Sequence, residues 1–250
     1  MIAAELYTLR QHLADAEAIA AGLARVRDIG YDGVELAGLG PIEAARLGDL
    51  LREHRLAACS AHVRWDRLRD ETDAVAEDCR TWGCRHVAVP VMPQQFRSAE
   101  GYARFAVEAS AVAARLREAG IRLSYHNHAF ELQRYGGKSG LEILYRASDP
   151  ALLDGQVDTY WIQYGGGNPA AWIRRLRGRA PTVHVKDMDV SEGSPVMAEV
   201  GEGNLDWSDV LAACRDAGVE WLIVEQDECR RDPFESLAIS RRNLRALGAG

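Results

Sequence analysis

Short apolar runs alternate with longer segments of helical periodicity along the whole of this chain. The first long segment, Leu13–Ile29, shows the helical pattern clearly, because its apolar residues recur every three or four positions. That spacing places them on one face of a helix. The short runs between such segments are rich in Val, Ile, Leu and Ala and are bounded by Gly, Pro or polar residues. The alternation predicts repeated βα units around a parallel sheet.

The pattern contains eight such repeats. The predicted strands are Ile2–Thr8, Gly33–Leu36, Leu56–His62, His86–Pro90, a fifth that begins at Ile121 and leads into Ser124–Glu131, Leu152–Asp158, Thr182–Asp187 and Trp221–Glu225. The predicted helices are Leu13–Ile29, one that opens with Pro41 in its first turn, Leu68–Trp82, Ala99–Ala119, Leu141–Ala147, Ala170–Leu176, Trp207–Ala217 and Pro233–Leu247. Eight repeats are typical of a closed (β/α)₈ barrel, whereas an open doubly wound sheet usually has fewer strands. We therefore predict an α/β protein with a TIM barrel fold.

Length and charge narrow the function classes. The chain has 250 residues, the usual size of one α/β barrel, and no linker-like stretch interrupts it, so we predict a single domain over residues 1–250. Its formal net charge is −7 and its sequence pI is about 5.6. A nucleic-acid or anionic-membrane partner requires a basic face, so both are disfavoured. A small-molecule substrate is the better prediction.

The N-terminal segment and the cysteines predict a cytoplasmic protein without a disulfide framework. Met1–Tyr7 lacks a basic segment followed by an apolar run, and no uncharged stretch of about 18 residues occurs. The five cysteines are an odd number and show no CxxC spacing. Neither disulfide pairing nor a zinc site built from Cys ligands is indicated.

Residues with catalytic or ligating side chains lie near the predicted carboxyl ends of the strands. In a (β/α)₈ barrel these ends face one shared pocket. The residues are Tyr7, Glu35, His62, His126, His128, Glu131, Asp158, His184, Lys186 and Glu225. Because side chains alternate along a strand, His126 and His128 are predicted to point the same way. Lys186 stands out because the chain has 30 Lys and Arg residues in total, and only Lys138 is another Lys.

The residue types favour a divalent metal ion. Carboxylates from different strands, combined with imidazole, form a mostly oxygen-donating set suited to Mn²⁺ or Mg²⁺. Glu225 follows the apolar run 222–224, where an unpaired buried carboxylate would be costly. His184 and Lys186 lie side by side on one face, and two such groups favour a nearby anion or metal. Simpler interpretations remain for Glu35 as the partner of an internal Arg, and for His62 as a capped strand-end histidine.

Four motifs in the chain resemble sequences of one protein family. They are Tyr125–Glu131, His184–Asp187, Gly201–Asp206 and Val224–Asp227, read as YHNHAFE, HVKD, GEGNLD and VEQD. Together they are similar to the sugar phosphate isomerase/epimerase group of xylose isomerase-like TIM barrels, whose relatives include inosose dehydratases, ketose 3-epimerases and hydroxypyruvate isomerases. The resemblance extends over essentially the whole chain.

The resemblance implies one divalent metal ion held by residues of strands five to eight. Transferred position by position, the ligands are Glu131, Asp158, His184 and Glu225. Members of the family often carry a metal-binding Glu where this chain has His126. Either Glu131 folds back to reach the ion, or His126 is the ligand and Glu131 serves otherwise.

We therefore predict a divalent-metal-dependent isomerase or epimerase of a sugar or keto-sugar. The reaction removes a proton next to a carbonyl through a metal-stabilised enediolate. The base is His128, Glu225 or Glu131, and Lys186 stabilises the developing oxyanion. The predicted substrate contacts are Tyr7, Glu35, His62, His126, Trp161 and Lys186. Mn²⁺ is the predicted metal, with Mg²⁺, Co²⁺ or Zn²⁺ as alternatives.

Other functions fit the same residues. One is a lyase or dehydratase, or a glycoside-cleaving enzyme, that acts on an oxidised sugar or cyclitol. Another is a sugar-binding barrel without catalysis. Aromatic residues near the predicted pocket mouth also make a homodimer reasonable.

Overall fold

The computed structural model describes residues 1–249 and contains a closed barrel of eight parallel strands. The strands are β1 Ile2–Glu5, β2 Gly33–Leu36, β3 Ala57–His62, β4 His86–Val89, β5 Arg122–His126, β6 Leu153–Asp158, β7 Thr182–Val185 and β8 Trp221–Val224. Each strand pairs with its neighbours in sequence, and β8 pairs with β1 to close the ring. The predicted TIM barrel is confirmed.

Helices connect the strands and surround the barrel. They are α1 Ala16–Ile29, α2 Ala44–Glu53, α3 Trp65–Asp70, α4 Thr72–Trp82, α5 Ala99–Glu118, α6 Gly140–Ala147, α7 Thr159–Tyr164, α8 Pro169–Arg175, α9 Trp207–Ala217 and α10 Pro233–Ala246. Three short 3₁₀ helices span Leu6–His12, Gln94–Phe96 and Phe130–Leu132. Two-stranded ribbons join Arg134–Tyr135 to Lys138–Ser139, and Asp187–Ser191 to Ser194–Ala198. Within residues 1–249, no helix combines the length and the apolar character needed to cross a membrane.

Local sequence signals fix the helix ends. The Asp15 carboxylate accepts the backbone N–H groups of Glu17 and Ala18 at the start of α1. At its other end Gly30 has a φ of 100°, which a residue with a side chain adopts at a cost. Between these ends Ile19 and Leu23 are fully buried, so α1 packs its apolar face on the barrel.

The amino-terminal end of the barrel interior is apolar. Ala3, Cys59, Trp221 and Ile223 form a buried cluster there. A Cβ atom at Gly33 would meet the Trp221 ring at 3.1 Å, so the absence of a side chain makes room for it. This packing leaves the polar side chains at the carboxyl ends of the strands.

The first and seventh predicted strands extend three and two residues beyond the carboxyl ends of the observed ones. The first strand ends at Glu5 rather than Thr8, because Leu6–His12 forms a 3₁₀ helix that buries Leu6 and Leu9. Glu5, and not Tyr7, therefore stands at the end of β1. The seventh strand ends at Val185 rather than Asp187.

Asp187 instead organises the loop after β7. Its carboxylate accepts backbone N–H groups of Gly201, Gly203 and Leu205, and the indole N–H of Trp207 at 2.5 Å. A Cβ atom at Gly203 would collide with this carboxylate. The glycines of the GEGNLD motif therefore close a loop around a buried Asp.

Three helix predictions also change. The predicted helix Leu68–Trp82 is interrupted at Glu71, whose φ of −127° leaves the helical region, and α3 and α4 result. The second helix begins at Ala44, so Pro41 precedes it rather than occupying its first turn. The sequence predicted no helix directly after Asp158, where the structure has α7; the Asp158 carboxylate caps its start by accepting the backbone N–H of Trp161 at 2.9 Å.

Candidate active site

Four buried donors meet at the carboxyl end of the barrel. His126 ends β5, Asp158 ends β6, His184 lies on β7 and Glu225 follows β8. One ligand atom from each lies within 4.8 Å of those of the others. We call these four residues the donor group. Two imidazole nitrogens and two carboxylates suit a divalent transition metal such as Mn²⁺.

Hydrogen bonds orient both imidazoles of the donor group. The Nε2 atom of His184 lies 2.6 Å from the Glu35 carboxylate, and its Nδ1 atom lies 3.2 Å from Glu225. The Nδ1 atom of His126 lies 3.1 Å from the carbonyl oxygen of Pro90, which can only accept a proton. Each ring therefore directs its other nitrogen toward the donor group, as a metal-binding histidine does. The donor group is therefore suited to a metal ion in both its donor atoms and their orientation.

The donor group combines a neutral imidazole with an ionised carboxylate. Burial and the neighbouring His184 lower the pKa of His126, which keeps its ring neutral. Burial opposes ionisation of Asp158, yet Lys186 holds the pKa of this carboxyl below its ordinary value. Buried carboxylates that stay ionised need a positive partner.

Lys186 supplies positive charge next to the donor group. Its Nζ atom lies 3.3 Å from Asp158 Oδ2, 2.5 Å from Glu225 Oε2 and 2.7 Å from Asp227 Oδ2. Burial alone would lower the pKa of Lys186, but these carboxylates raise it well above its ordinary value. The ammonium group is therefore charged and held in place by three carboxylates.

Glu131 lies apart from the donor group. It belongs to the 3₁₀ helix Phe130–Leu132, and its carboxylate accepts the Tyr125 hydroxyl and, at 2.9 Å, the backbone N–H of His128. Burial raises the pKa of Glu131 to about 7 despite these hydrogen bonds. The structure therefore brings His126 to Asp158, His184 and Glu225, which differs from the ligand set that the resemblance implies.

A cavity of about 320 Å³ opens beside the donor group. Its walls combine ionisable, aromatic and small residues, namely Glu5, Tyr7, Ala37, Gly38, His62, Pro90, Val91, His126, His128, Glu225 and Asp227. Of the predicted substrate contacts, Tyr7, His62 and His126 thus line the cavity. Glu35 is fully buried behind it, where it contacts His184 and His62. The Trp161 ring lies 5.3 Å from the His128 ring and 5.5 Å from Lys186 Nζ.

His128 faces the cavity as a neutral imidazole. Burial, reinforced by the nearby His126, lowers the pKa of His128 to about 3. Within residues 1–249 its buried Nδ1 atom has no hydrogen-bond partner. A neutral ring with an unpaired nitrogen can accept a proton.

Three residues around the site were missed in the sequence. Glu5 lines the cavity, and its Oε1 atom lies 3.0 Å from His62 Nδ1. Burial, with a contribution from Glu225, raises the pKa of Glu5 to about 7. Gln156 donates to Glu35 at 2.7 Å and contacts His62 Nε2 at 2.8 Å. The Asp227 carboxylate accepts a hydrogen bond from the Lys186 ammonium group.

Spacing along the strands was the available signal for two of them. Gln156 precedes Asp158 by two positions and Asp227 follows Glu225 by two, so period-two alternation puts each pair on the same side. Glu5 was hidden by the misplaced end of the first strand.

Known proteins resemble this chain in sequence and in fold. Residues 23–247 match the family described as "Xylose isomerase-like TIM barrel". The rhizopine catabolism protein MocC of Rhizobium meliloti is 24% identical over 267 aligned residues, which cover 91% of this chain and 81% of that protein. An inosose dehydratase of Lacticaseibacillus casei is 25% identical over 152 residues, 53% of this chain and 50% of that protein. A solved structure from Parabacteroides distasonis, a sugar phosphate isomerase/epimerase, superposes with a TM-score of 0.82 at 21% identity and covers 97% of this chain and 96% of that chain.

Proposed function

The chain belongs to the xylose isomerase-like TIM barrel family, and on that premise we propose that it is a metal-dependent isomerase or epimerase of a keto-sugar or keto-cyclitol. The reaction begins with removal of the proton next to the substrate carbonyl. One observation carries the proposal: His126 and Glu225 of the donor group line the same cavity as the neutral imidazole of His128.

The donor group would hold one divalent ion, with Mn²⁺ as the first candidate. His126, Asp158, His184 and Glu225 supply its ligands, and Glu35 and Pro90 orient the two imidazoles. When bound, such an ion acts as a Lewis acid toward substrate oxygens. The cavity beside it has room for a single sugar ring or an open-chain sugar.

The remaining chemistry belongs to side chains of the chain itself. His128 takes the proton from the carbon next to the carbonyl, because it lines the cavity and its Nδ1 atom is unpaired among the described residues. Lys186 stabilises the negative charge that then develops on oxygen, since its ammonium group is already fixed by three carboxylates. Tyr7 and Trp161 shape the entrance to the site and contact the sugar.

Dehydration is the second candidate. The matched inosose dehydratase is named for such a reaction, and elimination begins with the same proton removal. The two outcomes differ in the product, because dehydration releases one water from the substrate and epimerisation leaves its mass unchanged.

The proposal is tested with Mn²⁺-loaded protein, ketopentoses, ketohexoses and inososes in D₂O. We expect NMR to show deuterium entering the carbon next to the carbonyl, and chelator treatment to abolish this exchange. Glu225→Gln should lower the exchange rate at least about 100-fold, whereas Glu118→Gln, at an exposed position, should leave it unchanged. A stripped protein that still binds a sugar, together with a loaded protein that never exchanges, would instead establish a sugar-binding barrel without catalysis.

A further inference from the structure

Glu5 and His128 lie on opposite sides of the cavity. Glu5 ends β1, and His128 follows β5 by two residues. In a closed ring of eight strands, β1 and β5 are four positions apart in either direction. Because both residues line the same cavity, a substrate held there lies between them.

Both side chains present an unpaired atom. Of the residues that line the cavity, only Glu5 and His128 have a buried side-chain nitrogen or oxygen without a hydrogen-bond partner within residues 1–249. The atoms are Glu5 Oε2 and His128 Nδ1. Leaving a buried polar atom unpaired costs about 1–3 kcal/mol. Such atoms on facing walls of one cavity are therefore expected to bind a ligand that lies between them.

His62 holds the Glu5 carboxyl group in position. Its Nδ1 atom lies 3.0 Å from Glu5 Oε1, and its Nε2 atom lies 2.8 Å from the side-chain oxygen of Gln156. Both ring nitrogens are therefore engaged, and the ring cannot turn without losing a hydrogen bond. Glu5 is only 2% exposed, so the surrounding packing also restricts its carboxyl group.

We propose that Glu5 is the second acid–base residue of this site and that the reaction is epimerisation of the carbon next to the carbonyl. The inference rests on the function proposed above. His128 Nδ1 accepts the proton from one face, the electron pair of that C–H bond forms a C=C bond, and the carbonyl π pair moves to oxygen. A lone pair on that oxygen then re-forms the carbonyl. The electron pair of the C=C bond forms a new C–H bond with the carboxyl proton of Glu5 on the opposite face. The carbon is inverted without gain or loss of electrons, and exchange with water resets both side chains.

The test follows two epimers of one keto-sugar in D₂O. Glu5→Gln cannot deliver a proton, so inversion should fall at least about 100-fold for both epimers. With the epimer that His128 deprotonates, the variant should still exchange its proton for deuterium with retained configuration. With the other epimer, whose proton faces Glu5, exchange should be lost together with inversion. Glu5→Asp should restore part of both reactions.

Controls separate this inference from the function on which it rests. Glu5→Gln should keep the metal content and thermal unfolding midpoint of the wild type; if it fails to fold, Glu5→Asp carries the comparison of exchange with inversion. Inversion by Glu5→Gln within about twofold of the wild type would overturn the role of Glu5 while the proposed function stood. Loss of exchange with both epimers, or dehydration as the sole reaction, would also overturn it. If the wild-type protein exchanged no substrate proton for deuterium, the proposed function itself would be refuted.

Discussion

The Oε2 atom of Glu35 lies 2.6 Å from the Nε2 atom of His184, and both side chains are fully buried. Glu35 comes from β2 and His184 from β7, so this hydrogen bond crosses the interior of the barrel. The carboxylate accepts the Nε2 proton and leaves Nδ1 directed at Asp158 and Glu225. Glu35 therefore orients a ligand and is separated from the substrate cavity.

Replacing Glu35 should weaken metal binding. In Glu35→Gln an amide replaces the carboxylate that accepts the His184 proton. Losing such a hydrogen-bond partner of a metal ligand typically lowers the affinity for the metal 10–100-fold. We expect a loss of that size in Mn²⁺ affinity, measured by isothermal titration calorimetry. Glu118→Gln, at an exposed position, should bind like the wild type. Unchanged metal affinity with weakened sugar binding would favour the substrate contact predicted from the sequence.

The fifth strand allows a direct comparison of two candidate ligands. His126→Ala removes one of the four donors, so metal retained after dialysis should fall well below one ion per chain. Glu131→Gln should retain about one ion, because the Glu131 carboxylate is bound to Tyr125 and the His128 backbone. Elemental analysis of both variants measures this difference. The reverse result would support the family's usual arrangement, in which a carboxylate of this segment binds the ion.

Periodicity predicted most of the fold and three of the four donors. Asp158, His184 and Glu225 could be selected because each lies at or near the carboxyl end of a predicted strand, and a parallel barrel brings such ends together. The sequence also offered His126 as an alternative to Glu131. The choice between them depends on where the chain turns after β5, and hydrogen bonds to Tyr125 and His128 decide that turn.

Glu5 and Gln156 were not identified from the sequence for different physical reasons. Glu5 was overlooked because a 3₁₀ helix continues the apolar run after β1, so the apparent strand end moved from Glu5 to Thr8. Gln156 carries no charge, and its importance follows only from its contacts with Glu35 and His62 from other strands. An error of a few residues in a predicted strand boundary matters here, because it assigns the wrong side chain to the pocket.

Removing the charge of Lys186 should destabilise the protein when no divalent ion is added. Lys186→Met leaves the carboxylates of Asp158, Glu225 and Asp227 without their cation, and breaking a buried ion pair typically costs 3–5 kcal/mol. We expect a loss of about that size in the free energy of unfolding, measured by urea denaturation in chelator. Mn²⁺ should restore much of it. Lys138→Met, at the exposed position of the other lysine, is the matched control and should have little effect.

Glu131 should make the stability of the protein depend on pH. Burial raises its pKa to about 7 in the folded protein, against about 4.3 in an unfolded chain. Between these two pH values the folded protein holds a proton that the unfolded chain releases. The stabilisation that this proton gives the folded state is therefore complete below pH 4.3 and is lost as the pH rises through 7.

The variant Glu131→Gln cannot titrate at this position. Relative to the wild type, its free energy of unfolding should therefore increase by about 2–3 kcal/mol between pH 5 and pH 8. Urea denaturation in chelator at both pH values measures this change, with exposed Glu118→Gln as the control that should show none. An equal difference at the two pH values would mean that Glu131 ionises alike in the folded and unfolded states.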